Sequence, residues 1–78
     1  MPRTWIVSTI PVDPAPPSVL AFGQDRESAR TEYITQIMNL GAPAQKIADD
    51  SAFVLTDSTT LQYMDLVSGT RVVLTTRR

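Results

Sequence analysis

The stretch Asp25-Arg26-Glu27-Ser28-Ala29-Arg30-Thr31-Glu32-Tyr33-Ile34-Thr35-Gln36-Ile37-Met38-Asn39-Leu40-Gly41 decides how this chain folds. Ala29, Tyr33, Ile34, Ile37, Met38 and Leu40 recur at helical spacing and form one apolar stripe. Arg26, Arg30, Thr31, Thr35 and Asn39 fall on the opposite, solvent-facing side. Asp25 is suited to accept from the free N–H groups of a first helical turn, and Glu27 sits where the helix dipole favours negative charge. Gly41 is a natural residue for the left-handed step after a helix, and Pro43 blocks continuation. The pattern predicts a helix over 26–40.

Outward from that helix, the flanks read mostly as strands. Arg3 to Ile10 carries Trp5, Ile6, Val7, Thr9 and Ile10, with apolar groups on both parities, as in an interior strand covered on two faces. Pro11 ends it, and Pro11-Val12-Asp13-Pro14-Ala15-Pro16-Pro17 reads as a stiff extended loop. Ser18 to Phe22 is a second strand closed by Gly23, giving an antiparallel hairpin with a long loop. On the C-terminal side, Lys46-Ile47-Ala48 is expected to be a short edge strand. It would turn through Asp49-Asp50-Ser51 into a strand over 52–56. Asp57 or Ser58 would then cap a short helix carrying Leu61, Met64 and Val67 and ending at Gly69. A strand through Leu61-Gln62-Tyr63 competes with that helix, because Thr and Tyr favour sheets. A last strand covers 70–76. The expectation is an α+β fold, β-β-α-β-β, with one main helix across a small antiparallel sheet and a short second helix before the last strand.

Composition narrows the chemistry. With 78 residues there is room for a single domain, 1–78, with a small core. The initial Met1 and the lack of a truncated element suggest a complete short gene product. The chain has no Cys and no His, which removes disulfides, the usual zinc and iron sites, and Ser–His–Asp or Cys–His nucleophilic catalysis. No cofactor is expected. Gly23, Gly41 and Gly69 stand singly, so no glycine-rich phosphate loop is present. The apolar run at the start is cut by Ser8 and Thr9, too short for a signal or membrane segment. A cytoplasmic setting is expected. Net charge is -1, which opposes both a nucleic-acid binder and an acidic mimic of DNA.

What remains is binding. Pro11–Pro14 and Pro14–Pro17 have the spacing of polyproline ligands, but no closely flanking arginine accompanies them, and a hairpin connection explains the loop. Trp5 and Tyr33 lie within apolar patterns and are expected in the core, while Tyr63 is the aromatic expected to be partly exposed. Arg3, Arg71, Arg77 and Arg78 would gather into a small anion-binding patch if the first and last strands are neighbours. The sequence therefore suggests a non-enzymatic protein-interaction module, with Arg3, Tyr63, Arg71, Arg77 and Arg78 as interaction residues. Its partner would be a second copy or a larger host protein bound by an inhibitor-like phage or mobile-element product. The alternative is a weak nucleic-acid-binding domain using the terminal arginines.

Overall fold

A computed structural model describes residues 3–12 and 14–78; Met1, Pro2 and, in the proline loop, Asp13 lie outside the described residues. The chain runs β1 (Thr4–Ile10), β2 (Ser18–Ala21), α1 (Arg26–Asn39), α2 (Ala44–Ala52), β3 (Leu61–Met64) and β4 (Arg71–Arg77). The strands form one antiparallel sheet in the order β2-β1-β4-β3. The two longest strands, β1 and β4, lie in the middle, paired from Thr4 opposite Arg77 to Ile10 opposite Arg71. The small α+β class expected from sequence is the class observed.

Register sorts the side chains. Trp5, Val7, Leu61, Val72 and Leu74 fall on one face of the sheet and meet Ala29, Tyr33 and Ile37 of α1, all eight buried. Ala42 and Leu55 complete this core from the connections. One helical layer on one sheet gives a thin slab of 38 × 30 × 17 Å.

The main helix starts and stops as its sequence requires. Asp25 Oδ1 accepts from the Ser28 N–H at 3.1 Å, and Asp25 Oδ2 accepts from the Ser28 hydroxyl at 2.6 Å. At the other end Gly41 has φ +79°; its N–H donates to the Met38 carbonyl at 2.9 Å and that of Ala42 to the Ile37 carbonyl at 3.0 Å. One member of the expected stripe departs. Met38 is 56% exposed, because one residue past Ile37 turns it about 100° away from the line of Ala29, Tyr33 and Ile37 that meets the sheet.

Two expectations fail together. Residues 46–56 do not form a pair of strands; 44–52 are a helix. Residues 57–69 do not form a helix; Leu61–Met64 is the competing strand. The second helix thus precedes β3 rather than β4. Both outcomes have a tertiary cause. Asp50 is not in a solvated turn but 5% exposed inside α2, where the Tyr33 hydroxyl donates to its Oδ2 at 2.6 Å and Lys46 Nζ lies 3.0 Å from the same oxygen. Arg30, expected to face solvent, instead turns Nη1 to the carbonyls of Ser51 at 2.8 Å and Phe53 at 2.6 Å. A cation from α1 therefore closes the C-terminal end of α2, where unpaired carbonyls and the dipole favour one. In β3, alternation places Leu61 opposite Leu74 and Tyr63 opposite Val72, on the core face.

Candidate interaction surface

The β1–β4 pair has two ends, and each carries a feature that the core does not need. At the Ile10–Arg71 end, β3 and β4 are joined by the turn Asp65-Leu66-Val67-Ser68-Gly69-Thr70. Asp65 stitches it. Its N–H donates to the Thr70 carbonyl at 2.9 Å, and its carbonyl accepts from the Gly69 N–H at 2.7 Å. Its carboxylate accepts from the Val67 N–H at 3.2 Å and from the Ser68 hydroxyl at 2.7 Å. The Ser68 hydroxyl in turn accepts from the Thr70 N–H at 3.2 Å. Those donors, the Ser68 hydroxyl foremost, hold the Asp65 carboxyl below the ordinary carboxylate value.

Gly69 is required twice over. Its φ is +76°, and a Cβ there would collide with the Val12 side chain. The proline loop therefore leans on this turn. The side chains the turn presents are aliphatic: Leu66 is 88% and Val67 96% exposed, and Val12, which faces Gly69, and Met64, which precedes the turn, are about half exposed. Turn positions ordinarily go to Gly, Pro, Asn, Asp or Ser. Two aliphatic residues at the tip of a turn this fully hydrogen-bonded form a small rigid apolar knob.

At the Thr4–Arg77 end lies a cleft of about 360 Å³ lined by Arg3, Trp5, Gln24, Arg26 and Asp57. Arg3 Nη1 donates to the Thr76 hydroxyl at 3.1 Å, and that hydroxyl donates to the Asp57 carbonyl at 2.8 Å. Arg26 Nη1 donates to the Leu55 carbonyl at 3.3 Å.

The register divides the expected arginine patch: Arg3, Arg77 and Arg78 share the Thr4–Arg77 end, and Arg71 does not. The first and last strands are neighbours, but Arg71 lies opposite Ile10, six residues and roughly 20 Å along β4 from Arg77. Arg3 bonds on the helix side of the sheet, whereas Arg77 shares the other face with Thr75 and Val73. Arg78 follows β4 as an exposed terminus. Tyr63 is partly buried against the core, as an aromatic at a sheet margin should be, and Trp5 and Tyr33 are core residues.

The residues missed were Leu66 and Val67, hidden by the reading of 57–69 as a helix, and Arg26, Gln24 and Asp57 of the cleft. An aliphatic pair between Asp65 and Ser68-Gly69 was the available signal for the first group. Among the described residues no group of three or more Asp or Glu is placed to hold a metal ion, and no helix is long and apolar enough to cross a membrane. Comparison with known proteins returns no matching family model, no matching curated protein and no matching solved structure.

Proposed function

We propose that this chain is a non-enzymatic protein-interaction module that docks on a larger protein through the 65–70 turn. The observation that carries this reading is the exposure of Leu66 and Val67, 88% and 96%, on a turn fixed by Asp65 and Gly69. Burying such side chains yields about 1.5–3 kcal/mol each, and a turn already locked in shape loses little entropy on docking. The partner would offer an apolar recess that takes the two side chains, in the manner of an inhibitory loop. The Tyr33–Asp50–Lys46 cluster suits a structural tie rather than catalysis, since Tyr33 is fully buried and out of reach of a substrate.

A second reading has its own support. Ser18-Val19-Leu20-Ala21 forms a sheet edge with every residue exposed and no charge to discourage pairing. Two copies would extend the sheet about a two-fold axis. Sedimentation over a hundredfold dilution separates the readings, since only the second gives a concentration-dependent dimer that Val19→Lys abolishes.

The test of the first reading is differential capture. Immobilised native chain and the L66S/V67S variant are exposed to the same cell extract. Both should melt alike, because exposed substitutions shift stability by within about 0.5 kcal/mol. A protein held by the native chain should bind the variant at least about a hundredfold more weakly. Equal retention by both would remove the turn from the interface.

A further inference from the structure

The cleft at the Thr4–Arg77 end lies away from the turn and is not needed for docking. Its lining brings together two arginines, one aspartate, one glutamine and one tryptophan: Arg3, Arg26, Asp57, Gln24 and Trp5. Neither arginine has a carboxylate within 4.0 Å among the described residues; the ion pairs formed there are Arg30–Glu27 and Lys46–Asp50. Each guanidinium is nevertheless positioned. Arg3 is held on Thr76, Thr76 on the Asp57 carbonyl, and Arg26 on the Leu55 carbonyl. A guanidinium has five N–H donors, so one bond apiece fixes its direction and leaves the fork free. A volume near 360 Å³ is at the low end for ligand sites, enough for a small metabolite.

We infer that this cleft binds a small phosphomonoester bearing a hydroxyl or amino group, its phosphoryl oxygens between Arg3 and Arg26 and its donor on Asp57. The two planar forks match phosphoryl geometry, and their two charges equal those of a phosphomonoester near neutral pH. A lone carboxylate would answer only one of them. Asp57 adds selectivity: it accepts from a hydroxyl or ammonium and repels the extra charge of a di- or triphosphate.

Trp5 is the only tryptophan of the chain and lines the cleft, so its fluorescence reports occupancy directly. The native chain is titrated with glycerol 3-phosphate, with ATP and with a short single-stranded oligonucleotide, all at one ionic strength set with chloride. Glycerol 3-phosphate should give a saturable change with a Kd of about 1 mM or tighter, and ATP should bind more weakly. R3Q and R26Q should each weaken glycerol 3-phosphate roughly tenfold or more, while D57N should narrow the gap to ATP. If either glutamine variant melts lower than the native chain, R3K or R26K makes the same test, keeping the charge but losing the fork. No saturable change beyond that of chloride, or an unaltered response in the arginine variants, would overturn the assignment. So would tighter binding of the oligonucleotide that depends on Arg77 and Arg78, which would place the anion site on the terminus instead.

Discussion

Asp50 and Tyr33 show how one buried contact redirects a segment. A carboxylate 5% exposed is tolerable only with donors, and it has two on one oxygen, the Tyr33 hydroxyl at 2.6 Å and Lys46 Nζ at 3.0 Å. Tyr33 benefits in turn. Burial, followed by the hydrogen bond to Asp50, raises its hydroxyl far above its ordinary value of 10.0. A raised folded value means the hydroxyl's contribution is complete below pH 10.0 and is lost as pH climbs toward the folded value. Tyr33→Phe deletes the donor while keeping the ring in the core. It should cost about 1–3 kcal/mol in denaturant unfolding, and it should remove the part of the alkaline loss of stability that belongs to this hydroxyl. A variant as stable as the native chain would show that α2 does not lean on this bond.

Elements whose own residues specify them were legible, and those specified by a neighbour were not. The helix over 26–39 carries its stripe, its Asp25 cap and its Gly41 stop within itself, so its ends came out within a residue. Ile37→Ala, at its buried centre, should cost about 2–5 kcal/mol in thermal or denaturant unfolding; an unchanged melt would mean the stripe does not face the sheet. α2 has a single large aliphatic residue, Ile47, and an Asp-Asp pair that looks like a turn. Ala44, Ile47, Ala48 and Ser51 do repeat at helical spacing, but the ties that hold the segment come from α1, through Tyr33 and Arg30. β3 was ambiguous because Asp, Ser and Gly serve a helix terminus and a hairpin turn equally well; the alternation of Leu61 and Tyr63 onto the core decided it. Asp65 offers a check on that turn. Its lowered value means the unfolded chain takes up the proton more readily. Its contribution is thus present above the ordinary 3.8 and lost as pH falls through the lower folded value. Asp65→Asn can still cap the turn but no longer titrates, so it should melt with a smaller drop than the native chain as pH falls from the ordinary 3.8 through the lower folded value. An equal drop would deny Asp65 that role.

At the scale of the molecule, the thin slab keeps its chemistry apart: an aliphatic knob at one end of the central strands and, at the other, two guanidiniums with no carboxylate partner among the described residues. The candidate site was the least legible part. Of the five interaction residues the sequence suggested, only Arg3 lines the cleft, because strand parity sends Arg77 to the other face and register sends Arg71 to the far end. Leu66 and Val67 stand out only once the turn beneath them is known. The central claim is that those two side chains are the contact, and the most direct measurement is site-specific photo-cross-linking. A photoreactive side chain replaces Val67 in one sample and Thr35, exposed on α1, in another, and both are irradiated in the same cell extract. The account predicts a discrete higher-mass adduct from position 67 that is absent from position 35. Adducts identical at both positions, or none at 67, would contradict it.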